Sequence, residues 1–388
     1  MPGMTLWWKM MLPAAVLAAA CTQESPAPQG IPEPAVHVNG EVASDALAFN
    51  LFRHVVRERK GNVVFSPDSA EKLLHLLQAG AAGSTRAQLD ALPYGKRGVP
   101  SAMKVESANA LFADDSLKLK PSPAEVQRVP FSAAPARAAE RVNAWCSDHT
   151  HGKVAHVVSP PDIHPQTRLM AANAVYLNEK WLHPFKASAT KDAPFTLADG
   201  SQKTVQMMDA ELSCRYAEGA DWKAVALMYA PAAQGEPGCF IGILPKGNAR
   251  RFAETLDAAK YSAIRTALAK STPENVQVSL PRLTLQPDRF SLREALLKQG
   301  VRDAFTANAD FSGFSDTPLQ LADVFQKCYV KVDEQGTEAA AVTIATVDYT
   351  CVQMNTPPSI RFDKPFIWAI GDLTTPAPPY FIGLCEQP

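Results

Sequence analysis

Positions 333–354 read Asp-Glu-Gln-Gly-Thr-Glu-Ala-Ala-Ala-Val-Thr-Ile-Ala-Thr-Val-Asp-Tyr-Thr-Cys-Val-Gln-Met, and from Thr337 onward the residues alternate with a period of two. That period is typical of a strand, whose successive side chains point to opposite faces. Both charges of the alternating part, Glu338 and Asp348, fall on one face, and the other face is uncharged and small until Val347. We expect such a face to enter between two existing strands without a cavity being opened for it.

The boundaries of this segment are those of a loop. Gly336 permits a hinge in the backbone at its start, and Pro357 and Pro358 forbid regular pairing just beyond its end. The pattern of a strand within the boundaries of a loop predicts two states, one exposed and one inserted in a sheet. An ordinary exposed Ala-rich strand or helix is the simpler alternative.

The start of the segment also resembles a known family. Residues 334–341 match the hinge of the reactive loop of the serpins, inhibitors of serine proteases that insert this loop into a sheet. The resemblance implies a hinge made of Glu334, Gly336, Thr337, Glu338, Ala339, Ala340 and Ala341. It also implies that a large or charged residue at the alanines would stall insertion.

Further matches to the same family follow in the expected order. They are residues 62–67 (Asn-Val-Val-Phe-Ser-Pro), 178–185 (Asn-Glu-Lys-Trp-Leu-His-Pro-Phe) and 360–370 (Ile-Arg-Phe-Asp-Lys-Pro-Phe-Ile-Trp-Ala-Ile). The resemblance covers about 43–388 as a single domain. It implies an α+β serpin fold with a large, mostly antiparallel central sheet, further sheets, about seven to nine helices and an exposed reactive-centre loop.

By the same resemblance, two groups of residues control entry of the loop. Trp181 and Arg282 belong to the breach at the top of the sheet, where Arg282 pairs with Glu334; an exposed pair of this kind is worth at most ~1 kcal/mol. The shutter beneath the centre of the sheet comprises Ser66, Ser69, Asn173 and Gln326. Gln326 stands where many serpins carry His, and its amide can bond Asn173 or Ser66.

Two ways of counting place the scissile bond differently. The usual inserted length, counted from the hinge, puts it between Thr350 and Cys351, and we prefer this assignment because insertion length controls trapping. Counting back from the prolines puts it four positions later, between Met354 and Asn355. Positions 337–355 contain no Lys or Arg, so we expect an elastase-like target, or a chymotrypsin-like one if Tyr349 is recognised.

A competing chemistry begins at Ser69. Residues 69–72 form a Ser-x-x-Lys motif, in which Lys72 would assist deprotonation of the Ser69 hydroxyl one helical turn away. The sequence has no Ser-Asp-Asn and no Lys-Thr-Gly, the partner motifs of such acyl enzymes. We therefore predict a structural hydroxyl and a solvated lysine, and the enzyme hypothesis is the least favoured.

The first 20 residues are typical of a signal peptide, with Lys9 before an apolar run too short to span a bilayer as a stable helix. Residues 17–21 (Leu-Ala-Ala-Ala-Cys) resemble a bacterial lipobox, which implies lipidation of Cys21. The Pro-rich residues that follow, to position 42, predict a flexible tether. We expect an exported protein, lipid-anchored to a bacterial membrane and facing outward; the alternative is secretion after a cut at the same bond.

Composition restricts the partners. The chain has 38 basic and 39 acidic residues, a net charge of −1, so neither nucleic acid nor an acidic membrane surface is expected to bind it. In some serpins the segment that corresponds to positions 93–104 is a heparin-binding helix, and in this chain that segment is short. We therefore expect no glycosaminoglycan, and Lys96 and Arg97 fit a solvated turn. We expect a monomer without cofactor or metal, whose partner is a covalently held endopeptidase.

The cysteines and the hinge leave two questions open. Besides Cys21, six cysteines could pair in an exported protein: Cys146, Cys214, Cys239, Cys328, Cys351 and Cys385. Cys328 is predicted to be free, since a bridge across the sheet opening would block insertion, and Cys351 to be a reactive loop thiol that attracts cysteine proteases or oxidation. A non-inhibitory serpin-shaped binding protein remains the alternative; the small hinge disfavours it and the long loop favours it.

Overall fold

The described part of the chain contains seven α-helices and three β-sheets. The computed structural model describes residues 46–95, 103, 105–121, 126–231, 237–337, 357–374 and 377–388. The α-helices are α1 (Ala46–Glu58), α2 (Pro67–Gly80), α3 (Gly83–Asp90), α4 (Pro135–Asp148), α5 (Ala249–Thr255), α6 (Ala258–Lys270) and α7 (Arg293–Lys298). Short 3-10 helices cover Pro160–Asp162, Ala187–Ala189 and Asp303–Phe305.

The largest sheet has nine strands and is antiparallel except for one edge pair. In spatial order its strands are β1 (Val63–Phe65), β18 (Phe381–Cys385), β17 (Phe366–Asp372), β9 (Gly238–Pro245), β8 (Trp222–Met228), β7 (Gln202–Glu218), β10 (Glu274–Pro281) and β16 (Ser359–Arg361), and β6 (Lys191–Thr196) pairs with β7.

The other two sheets continue one another and together form a central sheet. The five-stranded part runs β12 (Phe290–Ser291), β13 (Leu321–Cys328), β4 (Leu169–Leu177), β2 (Val105–Asp114) and β3 (Val126–Val129). The four-stranded part runs β11 (Leu283–Leu285), β14 (Val330–Asp333), β15 (Gly336–Thr337) and β5 (Glu179–Lys180). One residue separates β13 from β14 and β4 from β5, so these strands are extensions of each other across the two parts.

Local chemistry explains where α2 begins. The Ser66 hydroxyl accepts a hydrogen bond from the backbone N–H of Ser69, and Pro67 occupies the first turn, where its missing N–H costs nothing. Leu73, Leu74 and Leu77 then face the core. The sequence pattern therefore predicts this helix and its starting residue correctly.

The amphipathic pattern of residues 136–154, with Val142 and Trp145 on its apolar side, predicts one helix to Val154, but α4 ends at Asp148. The Thr150 hydroxyl donates to the carbonyl of Cys146 and accepts from the N–H of Val154. These bonds replace helical ones, and Gly152 follows with a φ of +77°. The segment after α4 is therefore a separate connection across the central sheet, a point that apolar spacing alone does not reveal.

The core lies on both faces of the central sheet. All nine residues of β4 are buried, as expected for a strand covered on two sides. Ala172 and Ala174 pack with Val142 of α4, while Leu169 and Ala171 pack with α1 and α2 residues on the opposite face. The α+β class with a large central sheet is confirmed.

Candidate functional site

Two strands of the central sheet, β4 and β13, pair directly in its middle, and at one end, here called the top, another strand lies between their extensions. β4 and β13 pair in parallel as far as Val175 and Cys328. Above that point β15 lies between β14 and β5 and runs antiparallel to both, with Gly336 opposite Lys180. Gly336 and Thr337 thus form the first rungs of an additional strand.

Gly336 is required here by the closeness of the neighbouring backbone. Its φ is +155°, and a Cβ built on it would lie 2.1 Å from the carbonyl oxygen of Glu179 and 2.8 Å from the Cα of Lys180. Both obstacles are backbone atoms, which cannot rotate aside as a side chain would. Only glycine allows β15 to approach β5 this closely.

Thr337 is seated in a fully buried pocket above an aromatic stack. Its hydroxyl shares a 2.7 Å hydrogen bond with the Tyr229 hydroxyl, and the two residues are 0% and 1% exposed. The Tyr229 ring stacks on Trp181 at 4.9 Å, with 4° between the planes. Burial raises the pKa of Tyr229 well above its ordinary value, although the bond to Thr337 lowers it, so the phenol stays neutral.

Trp181 holds the chain that leads into the hinge. Its indole Nε1–H donates to the carbonyl of Asp333 at 2.8 Å, and its backbone N–H donates to the carbonyl of Gln335 at 2.9 Å. Between these two, the carbonyl of Glu334 accepts from the N–H of Phe185. The predicted breach tryptophan therefore packs in the core and, together with Phe185, holds the backbone of residues 333–335.

Arg282 and Glu334 form the predicted pair at the same place. The guanidinium Nε lies 2.9 and 3.0 Å from the two carboxylate oxygens, and Nη2 lies 2.7 Å from Oε1. The Glu334 side chain is 7% exposed and that of Arg282 is 45% exposed. Solvent on the arginine side limits the pair to at most ~1 kcal/mol.

A second contact makes the Glu334 carboxylate a better acceptor. The Thr190 hydroxyl also donates to it. Burial alone raises the pKa of Glu334, but the hydrogen bonds from Arg282 and Thr190 outweigh that effect and leave the pKa below its ordinary value. The hinge carboxylate is therefore charged at neutral pH and tied to two neighbouring elements.

At the centre of the sheet, Gln326 pairs with the backbone of Ser66. Its Oε1 accepts from the Ser66 N–H at 2.8 Å, and its Nε2–H donates to the Ser66 carbonyl at 3.0 Å. The Ser66 hydroxyl in turn donates to the carbonyl of Tyr380 at 2.7 Å. Of the two alternative partners named for the Gln326 amide, Asn173 and Ser66, the structure shows Ser66.

Asn173 belongs to a second group of polar side chains beside the first. Its Nδ2 donates to the Ser69 hydroxyl and, at 2.6 Å, to Oδ1 of Asn109, which lies directly opposite on β2. Its own Oδ1 is buried and accepts no hydrogen bond from the described residues. The four predicted shutter residues thus lie together at the β4–β13 pairing, as two groups that the bond from the Ser69 N–H to the Ser66 hydroxyl links.

The Ser-x-x-Lys motif is not arranged for acyl transfer. Lys72 pairs with Asp68 at 2.8 Å and its side chain is 50% exposed. Ser69 is fully buried and bonded to Asn109 and Asn173. The lysine is therefore directed to solvent and to a neighbouring carboxylate, as the sequence predicts.

The five described cysteines are free thiols, and all are buried: Cys146, Cys214, Cys239, Cys328 and Cys385. The predicted freedom of Cys328 is confirmed. Cys328 lies in β13 at the last pair with β4, and its Sγ is 3.6 Å from Oε1 of Gln326. Burial raises its pKa, which keeps it protonated.

Several predicted site residues lie outside the described residues. They are Cys21, Lys96, Arg97, Glu338, Ala339, Ala340, Ala341, Tyr349, Thr350, Cys351, Met354 and Asn355. Their roles in lipidation, in the hinge and at the scissile bond stay predictions.

Sequence reasoning missed three contact residues. The Tyr229 hydroxyl shares a hydrogen bond with that of Thr337, the Thr190 hydroxyl donates to the Glu334 carboxylate, and Oδ1 of Asn109 accepts from the Asn173 amide. Asn109 could have been found, because residues 107–112 (Ser-Ala-Asn-Ala-Leu-Phe) resemble a serpin strand, and the structure pairs that strand with the one that carries Asn173. Tyr229 and Thr190 are distant from the hinge in sequence and stand in no motif that we recognised.

Neither metal nor membrane chemistry is indicated by the described part of the chain. Among its residues, no group of three or more His, Cys, Asp or Glu side chains is placed to hold a metal ion. Its helices all lack the combined length and apolar content needed to cross a membrane.

Comparison with known proteins gives a consistent result. A family model described as "Serpin (serine protease inhibitor)" matches residues 42–388. Serpin B6 of Pongo abelii is 30% identical over 361 residues, covering 84% of this chain and 94% of that protein. Leukocyte elastase inhibitor of Bos taurus is 30% identical over 365 residues, with the same two coverages.

A solved structure supports the fold independently. The native state of Tengpin, a thermophilic serpin, superposes with a TM-score of 0.76 at 24% identity, covering 91% of this chain and 95% of that one. At this level of identity the likeness concerns the fold alone.

Proposed function

This chain belongs to the serpin family, which is a family of protease inhibitors and not of enzymes, and from this premise we propose that it traps an endopeptidase by inserting its own cleaved loop into the central sheet. The observation that carries the proposal is β15. Gly336 and Thr337 already pair between β5 and β14, at the upper end of the seam along which β4 and β13 meet.

The register on the two sides of β15 supports continuation of the strand. Thr337 lies opposite Glu179 on one side and Val332 on the other. Continued in steps of one residue, both registers bring Ala341 between Val175 and Cys328, the last pair of the seam. Two independent registers agree on one residue, so a guest strand would fit the seam without a slip.

The same register brings Thr343 between Asn173 and Gln326. Directly opposed residues share a face, so the Thr343 hydroxyl would point to the shutter side. There it could donate to the buried Oδ1 of Asn173, which accepts no bond from the described residues. Satisfying such a group favours the inserted state, because a buried acceptor without a partner is costly.

The chemistry belongs to the target. A serine protease attacks the carbonyl of Thr350, expels the amine of Cys351 and becomes esterified to Thr350. Insertion of the freed segment adds backbone hydrogen bonds at a net ~1 kcal/mol each and carries the protease to the far end of the sheet. Water then cannot complete hydrolysis of the ester in the distorted protease.

The target pocket follows from the loop sequence. Thr350 suits an elastase-like enzyme, and Tyr349 would suit a chymotrypsin-like one. We place the bond between Thr350 and Cys351, with Met354–Asn355 as the alternative. The bovine relative is named as an elastase inhibitor, which agrees with the first of these targets.

The experiment is incubation with an elastase-like, a chymotrypsin-like and a papain-like protease, followed by denaturing electrophoresis and mass spectrometry of the released peptide. We expect a covalent complex and a peptide that begins at Cys351. Ala341→Glu should instead give cleaved protein without complex, because a charge would have to enter the seam. Thr356→Glu, which lies beyond both candidate bonds, is the matched control and should leave the complex intact.

Cleavage of the unmodified protein without any complex would refute inhibition and leave a non-inhibitory serpin-shaped binding protein. No rise in melting temperature after loop cleavage would refute insertion itself. The two outcomes are separable, since insertion can occur too slowly to trap a protease.

We also propose export and lipid anchoring through Cys21. The lipobox-like residues 17–21 support this proposal. Metabolic labelling with a fatty acid should mark the unmodified chain and not Cys21→Ser. Equal labelling of both would contradict it.

A further inference from the structure

A groove on the surface lies between α1 and the end of α7. Its α1 wall consists of residues spaced three or four positions apart, which therefore share one side of the helix. They are Asn50, Arg53, His54 and Arg57, and the opposite wall contributes Lys298 and Gln299. The groove thus presents polar and basic side chains from two elements to one space.

This groove carries a local surplus of positive charge. It contains a cavity of about 260 Å³, whereas ~10–15 Å³ is enough to hold one water molecule. Arg53, Arg57 and Lys298 line the cavity, and none of the described lining residues is a carboxylate. The net charge of the whole chain is −1, so composition alone does not reveal this surplus. An anion is the ligand that such a lining attracts.

Neutral groups hold the two arginines in place. Nη2 of Arg53 donates to Oδ1 of Asn50 at 2.5 Å, and Nδ2 of Asn50 donates to Oε1 of Gln299 at 2.9 Å. Nη2 of Arg57 donates to the carbonyl of Glu254 at 3.0 Å. A neutral acceptor positions a guanidinium without cancelling its charge, and each guanidinium has five N–H donors. Both arginines therefore keep charge and donors for a ligand in the groove.

Lys298 completes the positive lining from the α7 side. Its Nζ lies 3.4 Å from Nδ1 of His54 and 3.8 Å from Oε1 of Glu58. The Lys298 and Glu58 side chains are 63% and 61% exposed, so solvent weakens this ion pair. The ammonium group therefore remains able to bind an anion between the two walls.

His54 reports the charge inside the groove. Burial lowers its pKa, and the positive charges of Lys298 and Arg57 lower it further, whereas the carboxylates of Glu58 and Glu294 raise it. The net effect is a pKa below the ordinary value, so the imidazole is neutral at neutral pH. An anion bound beside it would offset the two cations and raise this pKa.

We propose that the groove between α1 and α7 is a binding site for a phosphate group, supplied either by a free phosphate compound or by a lipid headgroup. Guanidinium groups bind phosphate through paired N–H donors, and an ammonium group binds it as a point charge. A phosphate monoester carries about −1.5 to −2 charges and three acceptor oxygens, which matches three cations better than a carboxylate does. The site shares no residue with the hinge, breach or shutter, so it goes beyond the proposed function and is independent of it.

The test measures binding of soluble probes to the full-length protein by calorimetric titration at neutral pH. The probes are inorganic phosphate, glycerophosphoglycerol (a phospholipid headgroup without acyl chains) and acetate, a singly charged carboxylate. The protein variants are Arg53→Gln and Lys298→Gln, with Arg137→Gln as the matched control. Arg137 is exposed on α4, whose buried residues pack on the opposite face of the central sheet from those of α1.

We expect Arg53→Gln to weaken phosphate binding by about ten- to hundredfold, because it removes hydrogen bonds between charged groups. Lys298→Gln should weaken it by about threefold, since this ammonium group is exposed; its exposure also keeps the test decisive if Arg53→Gln does not fold. Arg137→Gln should bind like the unmodified protein, and acetate should bind far more weakly than phosphate.

The location of the bound probe is tested through His54. A pH titration of its imidazole NMR signal, assigned with His54→Gln, should give a higher pKa in the presence of the phosphate probe. An unchanged pKa together with phosphate binding would place the phosphate elsewhere and overturn the proposal.

Three other outcomes would also overturn it. These are equal phosphate affinities of Lys298→Gln and Arg137→Gln, no measurable binding of either phosphate probe, and acetate binding as tight as that of phosphate. Preference for inorganic phosphate would support the proposal with a free phosphate compound as the ligand. Preference for glycerophosphoglycerol would support it with a lipid headgroup as the ligand.

Discussion

Gly336→Ala is the sharpest test of the hinge geometry. The new Cβ would lie 2.1 Å from the Glu179 carbonyl oxygen, whereas ordinary contacts begin at 3.4 Å. The obstacle is backbone on β5, so the strands must separate by more than 1 Å. Overpacking of this kind typically costs ~1–3 kcal/mol, and the φ of +155° adds strain.

Before cleavage the variant can escape this clash by leaving β15 unpaired, whereas the proposed insertion requires residue 336 to lie beside β5, so the cost appears in the transition state of insertion. A cost of ~1–3 kcal/mol slows insertion by roughly five- to 150-fold. Hydrolysis of the acyl-enzyme would then overtake trapping, and most of the inhibitor would be cleaved as a substrate.

The assay is the number of inhibitor molecules consumed per protease inactivated, measured by titration of protease activity. Gly247→Ala is the matched control, because a Cβ at Gly247 meets nothing within 4 Å. Gly336→Ala should raise this number strongly and Gly247→Ala should not. Equal trapping by the two variants would show that β15 need not stay close to β5, and would refute our account of the hinge.

Three further predictions concern stability and reactivity. The pKa of Glu334 in the folded protein lies below its ordinary 4.5, so the ionised carboxylate stabilises the fold fully above pH 4.5. This contribution is lost as the pH falls through the folded-state pKa, so the acid-induced drop in melting temperature should be smaller in Glu334→Gln. Arg250 binds the Glu386 carboxylate at 2.7 and 2.8 Å and the carbonyl of Val56 in the last turn of α1, so Arg250→Ala should lower the free energy of unfolding by about 1–3 kcal/mol in urea titrations. An unchanged midpoint would contradict this. Burial raises the pKa of all five described thiols, to about 12 for Cys146, Cys214 and Cys239. Iodoacetamide at pH 8 should therefore modify these five cysteines only after unfolding, and modification of any of them in the folded protein, mapped by mass spectrometry, would contradict this: Cys146, Cys214, Cys239, Cys328 and Cys385.

The sequence predicted the chemistry of the hinge better than its position. The residues from Glu334 to Thr337 carry a recognisable pattern, and the Arg282–Glu334 pair follows from it. What the pattern could not show is that Gly336 and Thr337 are already seated in the uncleaved chain. That depends on the spacing of β5 and β14, which is set by strands far apart in sequence.

The helix boundary after α4 shows the same limit. Apolar spacing continues beyond Asp148 and predicts one helix through to Val154. The structure ends the helix early because Thr150 satisfies the terminal groups and because Lys327 and Gln286 bind the carbonyls that follow. These tertiary partners replace the hydrogen bonds that a longer helix would have made. They are distant in sequence, so local helix propensity cannot reveal them.

The amino-acid sequence by itself determined the α+β class, the family and the starting residue of α2, because each depends on a local period, a cap or a contiguous motif. Only the tertiary structure decided which polar groups pair, that the Tyr229 hydroxyl bonds that of Thr337, and that Lys327 and Gln286 bind the carbonyls after α4. These depend on register and on strand spacing, which arise when segments from 100 or more positions apart are packed into one sheet.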